Sequence, residues 1–154
     1  MAMVDEIKQN RPFRSKAQEA AVSILRTANV LRRRFESAVQ REGISFAQYN
    51  VLRILRGARA PLPTMEIASR MMEEAPGITR LVNNLDQKGL IRREQWTGDR
   101  RQVLCEVTAA GLKLLERLDE EMDRLDDATT GPLSEYHVEQ LLHYLAVVRE
   151  AARE

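Results

Sequence analysis

Thr79, Arg80, Asn83 and Gln87 recur at helical spacing in a segment whose apolar residues, Ile78, Leu81, Val82 and Leu85, recur out of phase with them. At 100° per residue the polar set falls on one face together with Pro76, Asn84 lies at its edge, and the apolar set takes the opposite face. The chemistry this offers is hydrogen bonding to base edges. Arginine matches the O6 and N7 acceptors of guanine, and asparagine the N7/N6 pair of adenine. The pattern predicts a helix over 76–88, with Pro76 in a first turn where its missing N–H costs nothing. The amides of such a turn can meet a phosphate. A few residues on, Thr97-Gly98-Asp99-Arg100-Arg101 has the composition of a hairpin tip. A guanidinium there can enter the minor groove, where narrow A·T tracts concentrate negative potential. Asp99 beside two arginines is expected to hold one of them in a fixed pose, or to tie the hairpin back to the helix.

Other chemistry finds little support. No Gly-rich phosphate loop and no serine in a nucleophile elbow occur. Glu73-Glu74 and Asp119-Glu120-Glu121 fit a turn and a solvated helix face. His137 and His143 lie six apart, which is not a paired metal-ligand spacing. The reading is therefore a non-enzyme without cofactor or metal. The single cysteine, Cys105, alternates with Val103 and Val107 on the apolar side of an expected strand and reads as a small buried hydrophobe.

The elements that must position these residues follow from periodicity. A first helix is expected over 15–41, its apolar stripe running from Ala21 to Val39 and Gly43 stopping it. Ser45 caps a second helix carrying Phe46, Tyr49, Leu52 and Leu55, and the Pro61-Leu62-Pro63 run ends it. Thr64 is expected to cap the third helix and to stand near DNA. Strands are expected over 91–96 and 102–107. A long helix follows Thr108, broken at Gly131-Pro132, and a last helix starts near Ser134. The fold class is mainly α with a small β-hairpin wing. A winged helix-turn-helix lobe, about 45–108, is flanked by dimerisation helices, about 15–43 and 109–154, in one domain. The outer helices offer three apolar stripes that the lobe's own core does not need, so the expected partner for them is a second copy of the chain, the alternative being that the three pack only on each other as a monomeric bundle.

The net charge of +1 hides an asymmetry. From Lys8 to Arg41 there are nine Lys/Arg against two Asp/Glu, and from Arg53 to Arg101 ten against six; from Thr108 to Asp127 there are three against seven. A basic front and an acidic back suit a protein that turns one face to phosphate. The lone cysteine and the absence of an 18-residue apolar run point to a reducing compartment and no membrane span, hence a cytoplasmic location, with residues 1–16 read as a polar arm.

The series Ile78-Thr79-Arg80-Leu81-Val82-Asn83-Asn84-Leu85-Asp86-Gln87-Lys88-Gly89-Leu90-Ile91, then Asp99-Arg100-Arg101, then Val107-Thr108-Ala109-Ala110-Gly111, resembles the multiple-antibiotic-resistance regulator (MarR) family. Phe46-Ala47-Gln48-Tyr49 resembles it too. The resemblance implies a triangular homodimer on a pseudo-palindromic operator in double-stranded DNA, usually a repressor relieved by a small phenolic or anionic ligand. It carries DNA contact onto Thr79, Arg80, Asn83, Arg100 and Arg101, and a bracing role onto Asp99. Ligand pockets in such proteins lie between the first two helices and the first C-terminal helix, where Asn29, Arg33, Tyr49 and Arg53 are the residues to inspect. Two departures stand out: no cysteine lies near the start of the first helix, as peroxide-sensing members have, and Met72 stands where the turn often has a glycine or small polar residue. The competing reading is a winged helix used for protein–protein contact, with no specific operator.

Overall fold

The computed structural model describes residues 3–153; Met1 and Ala2 of the expected arm and Glu154 of the last dimerisation segment lie outside them. The arm carries one helical turn, α1 (Met3–Glu6), tied to the next helix by an Arg26–Glu6 ion pair of 3.0 Å. That helix, α2 (Lys16–Gln40), starts where Ser15 Oγ accepts the Gln18 N–H and stops at Gly43, whose φ of +73° suits a residue without a β-carbon. α3 (Phe46–Ala58) opens with a reciprocal cap: Gln48 N–H donates to Ser45 Oγ, and Ser45 N–H donates to Gln48 Oε1.

The Pro61-Leu62-Pro63 run does more than end α3. Leu62–Pro63 forms a short strand, β1, that pairs antiparallel with β3 (Val103–Val107), while β2 (Ile91–Gln95) pairs with β3 on its other side, giving the order β1-β3-β2. This corrects the expected role of Thr64. The extended backbone runs straight into α4 (Thr64–Ser69), so Pro63 occupies the cap position and Thr64 is already helical. Its hydroxyl turns instead to the sheet, donating to the Val103 carbonyl at 3.5 Å. The next helix, α5 (Ile78–Gln87), likewise starts two residues later than expected. Gly77 is its cap, without a side-chain bond, and Pro76 sits in the turn closed by Ile78 N–H and Ala75 C=O.

After the sheet come α6 (Ala109–Thr130), capped by Thr108, and α7 (Glu135–Ala151), capped by Ser134. The lobe has its own core: Leu52, Leu55, Ile67, Ile78 and Leu85 are buried, with Ala68 and Leu81 packed against them. Of the three outer helices, α6 differs from expectation. α6 buries Leu114, Leu115, Leu118, Met122 and Leu125 within the same core, against α2 and α3. It therefore has no spare stripe. α7 buries none of its described residues, and Leu142, Tyr144 and Val148 are exposed, as is Leu25 of α2. No helix among the described residues is long and apolar enough to cross a membrane.

Two junctions hold the lobe to the outer helices. Arg56 of α3 makes a two-pronged pair with Asp119 of α6, both contacts at 2.9 Å, which raises the arginine's pKa further. The second junction explains the Lys-Gly-Leu and Thr-x-x-Gly motifs. Gly89, with φ +69°, turns the chain out of α5. Thr108 then donates its hydroxyl to Gly89 C=O at 2.7 Å and its N–H to Leu90 C=O at 3.1 Å, while its oxygen accepts the Gly111 N–H. A β-carbon on Gly111 would collide with the Leu90 carbonyl oxygen and would sit 2.7 Å from Val107 Cγ2. The start of α6 thus lies directly on the end of α5.

Candidate nucleic-acid interface

α5 carries its apolar face inward as the spacing requires, with Ile78, Val82 and Leu85 buried. Thr79, Arg80 and Gln87 are exposed. Asn83 and Asn84 are half-buried, and Asn83 Oδ1 is shut off from solvent without a hydrogen-bond partner. A helical wheel assigns Asn83 to a face but does not give the burial of its amide oxygen. A bidentate contact from Asn83 to adenine needs its amide to turn outward.

The wing is a hairpin with a short, hydrogen-bonded tip. Trp96 N–H donates to Gln102 C=O at 2.9 Å and Gln102 N–H to Asp99 C=O at 3.0 Å. Asp99 Oδ1 accepts the backbone N–H of Arg101 at 2.9 Å. The expected brace is therefore made to the backbone of the turn rather than to a guanidinium or to α5. It leaves the side chains of Arg100 and Arg101 exposed. Thr64 lies inside this arrangement rather than at its surface edge, and Pro76 lies at the mouth of α5.

Wing and helix meet in a notch of about 480 Å³ lined by Thr64, Thr79, Arg93, Arg101 and Gln102 among others. Arg93 was not singled out in the sequence. It stands opposite Cys105 in the β2–β3 register, and its Nε is buried without a partner. The available signal was its parity: Arg93 shares the inward side of β2 with Ile91, an uncommon place for a cation. Cys105 is fully buried. That burial pushes its thiol above the ordinary value, against the opposing influence of Thr64 and Arg93.

A larger groove of about 800 Å³ opens on the other side of α5. Its floor is apolar, from Leu31 and Phe35 of α2, Phe46 of α3, Met71 and Leu81; Phe35 and Phe46 stack at 5.4 Å. Arg32 of α2 reaches across it to Glu73 in the turn between α4 and α5, Nε to Oε1 at 2.7 Å. Arg80 and Asn84 reach its wall. Asn29, Arg33, Tyr49 and Arg53 do not line it: Tyr49 is buried in the core, and Arg33 and Arg53 are exposed elsewhere. Among the described residues no group of three or more His, Cys, Asp or Glu side chains is arranged to hold a metal.

Two short helices, a solvent-facing second helix and a hairpin with a basic tip define the winged helix-turn-helix class. The family model described as MarR family matches residues 44–103. The crystal structure of a MarR transcription factor from Planctomyces limnophilus is 34% identical, covers 88% of this chain and 99% of its own, and superposes with a TM-score of 0.67. The HTH-type transcriptional regulator FarR of Neisseria gonorrhoeae is 25% identical over 143 residues, 91% of this chain and 97% of its own. NadR, solved in complex with 4-hydroxyphenylacetate, is 25% identical with a TM-score of 0.70, over 90% of this chain and 97% of its own. The chain belongs to the MarR family of transcriptional regulators.

Proposed function

We propose that this protein is a cytoplasmic, sequence-specific regulator that binds a pseudo-palindromic operator as a homodimer and leaves it when a small phenolic or anionic molecule binds. The observation that carries the DNA reading is the shared notch: Thr79 of α5 and Arg101 of the wing line one concavity, so both elements address the same surface. α5 enters the major groove, where Arg80 and, once its amide turns outward, Asn83 read bases and Thr79 and Asn84 support them. The α5 N-terminus, next to Pro76, meets a phosphate. Arg100 and Arg101 enter the minor groove, held by Asp99, and Thr64 positions α4 beneath them. None of these steps calls for a catalytic group.

The residues 45–108 form the DNA lobe in this reading, and 15–43 with 109–154 form the dimer. The open apolar faces of α7 and of α2 at Leu25 support that division. Two-fold symmetry then puts half-sites about one helical turn, ~34–36 Å, apart. The apolar groove beneath the α4–α5 turn receives the effector, where an occupant would press on the Arg32–Glu73 tie and on α5 itself. NadR's complex with a phenolic acid supports that chemical class.

The test is binding to duplexes selected from a random pool. Arg80→Ala should cost about 1–3 kcal/mol and relax preference at one position per half-site. If affinity and base preference both stay unchanged, α5 does not read DNA and the protein–protein reading replaces this one.

A further inference from the structure

The chain has one tryptophan, and it stands on the wing. Trp96 continues the outward side of β2 beyond Arg92 and Glu94, and it is 44% exposed at the base of the tip that presents Arg100 and Arg101. What covers the rest includes Gly98: a β-carbon built there would lie 2.9 Å from Trp96 Cζ2 and 3.1 Å from Cε2. One face of the indole is thus laid against the turn, and any side chain at position 98 would displace it.

We propose that Trp96 is a specificity-determining DNA contact, its free indole face packing on the deoxyribose wall of the minor groove that Arg100 and Arg101 enter. This rests on the DNA reading above. Three observations carry it. The indole stands on the same hairpin, four and five residues before two exposed cations that draw a phosphate backbone to the wing tip. The tip is closed by the Trp96–Gln102 and Asp99–Arg101 hydrogen bonds, so the ring is presented on a firm loop. Glu94, the acid beside it on the strand, and Glu106 of β3 share Arg92, at 3.3 and 2.9 Å, so these carboxylates are held on the strands behind the tip. The ring does not wedge between base pairs. An intercalating side chain needs both faces free, and Gly98 holds one. Trp96 therefore senses groove width through the sugars, without kinking the duplex.

A contact made by apolar area displaces no counterions, and that separates it from a brace for the arginines. Covering about half of the exposed indole is worth roughly tenfold in affinity per wing. The experiment uses the full-length protein and a fluorescein-labelled duplex selected from a random pool, with anisotropy reporting binding and intrinsic emission reporting Trp96. Saturating duplex should shield the emission from acrylamide several-fold. Trp96→Ala should weaken binding about tenfold per wing, about a hundredfold for the dimer, with the salt slope unchanged, and Trp96→Phe should restore most of the loss. Undiminished quenching on saturated duplex overturns the inference while leaving the DNA reading intact. A flattened salt slope in Trp96→Ala also overturns it, since the ring then only braces Arg101. Failure of the wild type to bind any selected duplex removes the DNA reading itself.

Discussion

Replacing Gly111 with alanine should destabilise the protein, although it puts a better helix former into a helix. In an open helix the exchange stabilises by about 1 kcal/mol. Gly57 of α3 is such a site, with no atom within 4 Å of the place a methyl would take, and Gly57→Ala should gain up to about that much. At Gly111 the methyl meets the Leu90 carbonyl and Val107 Cγ2, both parts of the α5–α6 junction. Forcing extra volume into a packed site costs about 1–3 kcal/mol. Moving Leu90 away also stretches its bond from Thr108 N–H, worth about 1 kcal/mol. Steric cost and lost bond together outweigh the propensity gain, leaving a net loss of about 1–3 kcal/mol. For a chain of this size that is a drop in Tm on the order of 5 °C. Thermal unfolding followed by circular dichroism, at matched protomer concentration because a dimer's Tm depends on it, reads both variants. The two should move in opposite directions. If Gly111→Ala rises with Gly57→Ala, the tight approach of α6 to the end of α5 is not real.

Leu142→Glu combined with Val148→Glu should convert a dimer to a folded monomer, because both residues are exposed in the protomer; sedimentation should show 17.6 kDa, and an unchanged doubled mass would move the interface elsewhere. Cys105 should react slowly with a thiol reagent in the folded state and DNA binding should resist mild peroxide, a result reversed if peroxide releases the wild type but not Cys105→Ser. Because burial raises its folded pKa above the unfolded value, its contribution to stability is intact below the ordinary thiol range and declines as pH rises through that range toward the folded value; Cys105→Ala should lessen this alkaline loss in urea titrations. Glu73→Gln removes an ion pair whose side chains are 51% and 57% exposed, so stability should change by less than about 1 kcal/mol; a larger loss in urea unfolding would make the pair a structural necessity of the turn.

The elements that were legible in the sequence are those with local causes. Ser15, Ser45, Thr108 and Ser134 each cap a helix where an oxygen side chain precedes a periodic run. The inward face of α5 was equally plain, since four apolar residues at helical spacing leave one solution. What escaped was set by partners distant in sequence. A strand of two residues has no period to detect, and its prolines read only as breakers until β3 supplies the other side. The inward Arg93 and the groove under the α4–α5 turn need the wing and α2 in place, and the half-burial of Asn83 emerges only in the folded chain. The stripe of α6 was visible, but whether α2 and α3 or a second chain would cover it was a question of topology, and the protomer's own core took it.

Pro63 has a consequence for solubility. In the order β1-β3-β2 the short β1 is an outer strand, and a proline flanks or occupies it at both 61 and 63. Proline has no N–H to offer a further strand, and two residues are too few to template one. The opposite border, β2, carries charged Arg92 and Glu94 on its outward side. Both borders of the sheet are thereby poor seeds for edge-to-edge aggregation, which matters for molecules that would crowd side by side along one duplex.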